Sequence, residues 1–213
     1  MQLLKKIYHS VMEIPRTLSY KKLRKKLKNS DFSIIASDCF GGLVYHNLGQ
    51  KFNSPTINLS FPQNDFYQFV LHLKEYLDTE LIEVEDNSVS YPVGSLTYHD
   101  QTVRINFMHY KSFEEAKNKW NERKQRINFS NLYIIQTVAR GITQEYLDQF
   151  SALPYPNKLL ITHNNDFQCE CMVTHDIFSK KNYENGEILR YKSMLSTRRH
   201  MDDIDYVSFL NRS

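Results

Sequence analysis

Cys39 stands where an apolar run of strand type, Phe32–Ala36, gives way to Ser37 and Asp38, two residues that start helices. That order puts the thiol in a first helical turn, where unpaired backbone N–H groups and the positive end of the helix dipole stabilise a thiolate. Such a thiolate is a nucleophile for acyl transfer or hydrolysis. Asp38 opposes its ionisation with an adjacent negative charge, and a cysteine at this place also packs well as a small, inert hydrophobe. Gly41 and Gly42 follow at once. Each costs a helix roughly 1 kcal/mol relative to alanine, so the pair signals a close backbone approach by a ligand or a neighbouring element. In the catalytic reading, the backbone N–H groups near Phe40 and Gly41 serve as oxyanion donors.

A thiol nucleophile needs a base, and the chain offers eight histidines. His46 lies on the same helix face as Cys39 but ~10 Å along the axis, too far for a direct hydrogen bond. His109 is better placed, because Val103–His109 reads as a strand ending just before a well-marked helix, and strand ends are where α/β folds assemble sites. A histidine simply hydrogen-bonded at a strand end is the competing reading. Beyond His109, Trp120, Arg123, Lys124 and Arg126 line a helix end. Positive charge there is favourable on structural grounds alone, while Arg123 can also clamp a phosphate or carboxylate.

Other constellations are weaker. His163, Cys169, Cys171 and His175 suggest zinc by type, yet a C-x-C pair lacks the usual ligand spacing. Asp202, Asp203 and Asp205 offer oxygen ligands for a divalent cation, as in nucleotide-sugar transferases, although a charge cluster near a terminus is usually solvated. No G-x-G-x-x-G and no phosphate-loop motif is present, so neither a dinucleotide site nor a P-loop is supported. The expected site therefore needs no cofactor and no metal.

The elements that must position these residues alternate between short strands and longer helices. Strands are expected at Phe32–Ala36, Ile57–Phe61, Leu81–Glu85, Val103–His109, Leu132–Thr137, Lys158–Thr162 and Glu170–Val173. Helices are expected at Asp65–Leu77, capped by Asn64, at Phe113–Ile127, opened by a Ser112 and Glu115 capping box, and at Gln144–Phe150. Tyr91–His109 reads as an antiparallel hairpin around His99-Asp100-Gln101. The alternation predicts a layered α/β/α domain with a mixed sheet over residues 29–180, followed by a partly helical tail, 181–213, packed on it.

Residues 1–28 form a third part. They hold nine basic residues against Glu13 alone, so they carry about +8 and the remainder about −5 of a net +3. Leu3, Leu4, Ile7, Tyr8, Val11 and Met12 recur at helical spacing, and Tyr20, Leu23 and Leu27 repeat the pattern, which predicts a basic amphipathic helical hairpin. Such a segment suits an anionic membrane surface better than nucleic acid, or packs on the domain. No apolar stretch is long enough to span a bilayer and no signal peptide is recognisable, so the expected place is the cytoplasm, with peripheral attachment to the inner face of the membrane through residues 1–28. Three cysteines make no disulfide framework, in keeping with a reducing compartment.

Several segments in fixed order carry a resemblance: Phe32-Ser33-Ile34-Ile35 into Asp38-Cys39-Phe40-Gly41-Gly42, Ser54-Pro55-Thr56-Ile57-Asn58-Leu59, Tyr91-Pro92-Val93-Gly94, Phe107-Met108-His109-Tyr110, Glu114-Glu115-Ala116, Lys119-Trp120, Arg123, Arg126-Ile127-Asn128 and Leu153-Pro154-Tyr155. Over roughly residues 20–165 the chain resembles a bacterial domain of unknown function often labelled exopolysaccharide biosynthesis protein. The resemblance implies an α/β fold and a place in surface-polysaccharide assembly. A slighter likeness, carried by Cys39, His109 and the basic segment Lys119–Arg126, is to papain-like cysteine peptidases and acyltransferases, with nucleophile on a helix start and base on a later strand; it implies an acid or asparagine on the next strand to orient His109, where this chain offers Gln136 or Thr137.

The expected function is a Cys–His acyltransferase or hydrolase acting on a glycan precursor, with Cys39 as nucleophile, His109 as base and Gln136 as orienting group. Gly41, Gly42, Tyr110, Trp120 and Arg123 would bind substrate. Two other readings stand beside it. One is a nucleotide-sugar glycosyltransferase using Arg123, Lys124 or the C-terminal aspartates; the other is a non-catalytic membrane-surface module of a polysaccharide assembly complex.

Overall fold

A computed structural model describes residues 2–163, 166–184 and 186–212, with residues 2–11 described by their backbone alone. Four strands pair in parallel in the order β1-β5-β6-β7: β1 (Ser33–Ala36), β5 (Leu132–Val138), β6 (Lys158–Thr162) and β7 (Met172–Thr174). Three more, β2 (Ile82–Val84), β3 (Val93–Tyr98) and β4 (Gln101–Asn106), make a separate antiparallel sheet in the order β2-β3-β4. The fold is layered α/β, with its parallel and antiparallel pairings segregated into two sheets. A bridge between Ser60 and Asn106 leads from one region to the other. The β3–β4 turn falls at His99 and Asp100, with His99 at a φ of 49°.

Strand alternation sends side chains to the two faces of the parallel sheet, and each face has its own core. On one side Ile34, Ala36, Tyr133, Ile135, Leu159 and Ile161 pack against α2 (Phe40–Leu48) and the C-terminal α7 (Tyr206–Leu210). On the other, Ile35, Ile134 and Leu160 join α3 (Gln63–Leu71), α4 (Leu73–Asp78), α6 (Gln144–Ser151), the antiparallel sheet and Trp120 of α5 (Phe113–Lys124). The Ser112 cap of α5 forms as expected, its hydroxyl accepting the Glu115 N–H at 3.2 Å; Glu115 in turn reaches the N–H of Lys111.

Three expectations are corrected. Residues 57–61 form no strand; they are a loop laid along the free edge of β1, where Thr56 Oγ1 accepts the Ala36 N–H at 2.9 Å. The helix expected at Asp65–Leu77 is two, broken at His72 (φ −123°, ψ 45°), and α3 is capped at Pro62 rather than at Asn64. The basic segment is not a hairpin but one helix, α1 (Gln2–Lys26), which runs through Pro15. Proline deletes one helical hydrogen bond and crowds the preceding turn. The turns beyond it are held by Arg16, which donates to the carbonyls of Met194 and Ser196, and by Tyr20, which donates to Asp202 Oδ2. The apolar positions from Leu3 to Val11 lie outside the described side chains. Among the described residues, no helix is long and apolar enough to cross a membrane.

Candidate functional site

At the carboxyl ends of β1 and β5 a cleft of about 1110 Å³ opens. Parallel sheets bind ligands at this edge because the loops leaving adjacent strands separate there. Ser37, Asp38 and Cys39 supply one part of its wall and Thr137 and Ala139 another. Ser37 ties the two strand ends together: its hydroxyl accepts the Thr137 N–H at 3.0 Å, and its own N–H donates to Ile135. The Ser37 carbonyl accepts the Phe61 N–H at 2.9 Å, which pins the loop of residues 54–61 to the same edge. Within that loop Asn58 holds a φ of 62°, a left-handed conformation uncommon outside glycine, and it lines the cleft. Such local strain concentrates where a side chain must be aimed.

Cys39 caps α2 without a side-chain capping bond, and its thiol donates to the Leu59 carbonyl at 3.8 Å. Burial, with Asp38 adding repulsion, pushes the thiol up to about 12. This reverses the effect expected of a helix start, because lost solvation outweighs the helix dipole. Asp38 is also driven above the usual carboxylate range by burial, while the Phe40 N–H, donated at 2.8 Å, and the Thr137 hydroxyl pull the other way. The Phe40 N–H is therefore committed to Asp38 rather than free as an oxyanion donor. Gly41 does not face ligand: a Cβ there would lie 2.8 Å from that of Ala36, so its role is to let α2 press onto β1. Gly42 lines the cleft.

His109 lines the same cleft as Cys39, exposed, in the turn that follows β4 rather than on a strand. The Ser60–Asn106 bridge sets that turn over the 54–61 loop. Among the described residues its ring has no hydrogen-bond partner. Gln136, expected to orient it, is fully buried and spent elsewhere, donating to the Gln63 carbonyl at 3.0 Å and accepting from the Tyr146 hydroxyl at 2.8 Å. Tyr110, Trp120 and Arg123 are likewise not in the cleft wall. Tyr110 donates to Ile57 and accepts from Arg123 at 2.8 Å, Arg123 lies over the Phe52 ring, and Trp120 is buried in the core. Lys124 and Arg126 are engaged by the Leu77 carbonyl and by Glu122.

The opposite wall comes from a segment to which sequence reasoning gave no role. Tyr183, Arg190, Tyr191 and Arg199 line the cleft. Tyr191 is clamped between two guanidinium groups, Arg16 at 3.6 Å and Arg199 at 4.2 Å from the ring centroid, a stacking suited to arginine. Arg199 also donates to the Leu189 carbonyl, while its buried Nε has no partner among the described residues. Arg190 pairs with Glu184 at 2.7 Å. Tyr183 is raised to about 12, chiefly by burial and next by Asp38. The arginine–tyrosine alternation of 190–191 was the available sequence signal.

Cys169 and Cys171 are joined by a disulfide next to Ser151, which leaves neither as a zinc ligand. Among the described residues no group of three or more His, Cys, Asp or Glu side chains is placed to hold a metal ion. Asp203 is paired with Lys192 and Arg198, and Asp205 caps α7.

With this geometry in place, comparison with known families matches residues 11–211 to a model described as Domain of unknown function (DUF1919). The chain belongs to the DUF1919 family. Its relatives include an uncharacterized protein of Haemophilus influenzae, 32% identical over 208 residues, an alignment covering 98% of each chain. The DUF1919 match spans every residue that lines the cleft, from Ser37 to Arg199.

Proposed function

We propose that this DUF1919 protein is an enzyme of bacterial cell-surface polysaccharide assembly that transfers or removes an acyl group on a glycan precursor. The observation that carries it is that Cys39 and His109, distant in sequence, line one cleft at the carboxyl edge of a parallel sheet. A thiol held at about 12 is neutral at physiological pH, so it attacks as a serine hydroxyl does rather than as a preformed thiolate. The Cys39 proton passes to His109 as the carbon–sulfur bond forms, and His109 returns it to the departing group. A glycan hydroxyl, or water, then opens the thioester. Arg190 and Arg199 supply positive charge for a phosphorylated or carboxylated precursor.

A second reading, direct sugar transfer, is favoured by Asp38, a carboxyl in the same cleft whose burial raises it toward the range useful for acid–base catalysis. One experiment separates the two. Incubation with acyl-coenzyme A or p-nitrophenyl esters should add an acyl mass that is absent in Cys39→Ser and strongly reduced in His109→Ala. A melting temperature raised by nucleotide sugars with Mn²⁺, and no adduct, would instead select sugar transfer at Asp38.

A further inference from the structure

The two faces of α1 do different things. Its inner face is bound to the protein body through Arg16 and Tyr20, both buried. Its outer face carries Ile14 and Leu18, 68% and 51% exposed, among the most exposed large apolar side chains of the described residues. At 3.6 residues per turn these two share an arc about 100° wide with Lys21, Lys22 and Lys25, all exposed. Two apolar side chains thus point away from the core and run directly into a cluster of lysines.

We propose that the outer face of α1 docks the protein on an anionic lipid bilayer, with Ile14 and Leu18 entering the headgroup boundary and Lys21, Lys22 and Lys25 meeting lipid phosphates. Charge decides the occupant. In residues 1–28 Glu13 alone is acidic, so a second copy pairing along this face would bring lysines against lysines or against apolar positions, with no acid to meet them. An anionic surface neutralises all three, each lysine strengthening attachment severalfold, and the apolar pair adds burial that a free phosphate cannot offer. The helix is too polar to cross the bilayer, so it lies along the surface. Its inner face holds Tyr191 of the cleft wall, which places the cleft within reach of a precursor carried on lipid.

Co-sedimentation of the full chain with vesicles tests this. Binding is expected to vesicles of phosphatidylcholine with phosphatidylglycerol, weakened by salt, and not to phosphatidylcholine alone. Ile14→Glu with Leu18→Glu should abolish it, and replacing Lys21, Lys22 and Lys25 by Gln should weaken it roughly a hundredfold. Because all five side chains are exposed, circular dichroism and the melting temperature should not move; should the apolar pair unfold the protein, the lysine variant still decides. Binding indifferent to anionic lipid, binding untouched by these variants, or a dimer in solution that Leu18→Glu converts to monomer would each overturn the proposal. Cys39→Ser should dock like the parent, so failure of the acyl-transfer reading and failure of docking are separate results.

Discussion

The two walls of the cleft are built by opposite means. The wall at Ser37–Leu43 grows out of the core: a buried strand ends, a glycine lets the next helix lie on it, and backbone bonds to β5 and to Phe61 fix Ser37 at its head. The wall formed by Tyr183 and residues 186–199 is anchored by Ile188 and held through short 3₁₀ turns and side-chain contacts such as the Arg16–Tyr191–Arg199 stack. Cys39 and Asp38 are consequently desolvated and held in place, whereas Arg190 and its neighbours are surface groups that can adjust. On the proposed reading the nucleophile Cys39 sits on the rigid wall and the charged groups Arg190 and Arg199 on the adaptable one, the division expected when a site must be accurate at one end and accommodating at the other.

The largest effect that would test this contrast is Gly41→Val. Its Cβ and branches would collide with Ala36 and Ile34, and overpacking of this kind should cost about 3 kcal/mol in urea unfolding, with partial recovery on adding Ala36→Gly. A small cost would mean that the inner wall yields. Next comes Arg16→Ala, which removes two bonds to loop carbonyls and one face of the Tyr191 stack. A loss of about 1–2 kcal/mol is expected, with faster hydrogen exchange across 190–199 and none added across 37–43. Equal acceleration in both segments would make the two walls one cooperative unit.

Asp38→Asn should act in the other direction and more weakly. A carboxyl whose folded value is raised favours folding below its unfolded value of about 3.9 and disfavours it as pH climbs through the folded value. The Asn variant, still able to accept the Phe40 N–H, should therefore be more stable than the parent near neutrality and lose that advantage in acid, as urea midpoints across pH would record. The smallest effect concerns Cys39: alkylation by iodoacetamide should be slow at neutral pH and show no ionisation step near 8.5. A step there would show that the inner wall is open to water.

The central parallel strands were legible because they are continuous apolar runs: β6 matches its expected bounds and β5 differs by Val138 alone. Residues 57–61 misled for a physical reason. Ile57 enters one core while Leu59 and Phe61 enter the other, so the segment shows strand-like apolar alternation while lying as a covering loop between two layers. Cys39 and His109 were visible as residue types at element ends, and their common cleft follows from the β1 and β4 connections. Gln136 was misassigned because strand alternation turned it toward α6. Arg190 and Tyr191 stand side by side as the one local signal of this wall; their place in it is created by contacts with α1 from the far end of the chain.

The Tyr191 clamp also has a meaning in time. Arg16 leaves the ribosome long before Tyr191 and Arg199 exist, so during synthesis that part of α1 has its inner face awaiting a partner. The cleft therefore closes last, and under the docking proposed above it would close on a chain already settled on a bilayer, while an unfinished chain would hold the Ser37–Leu43 wall with nothing opposite it.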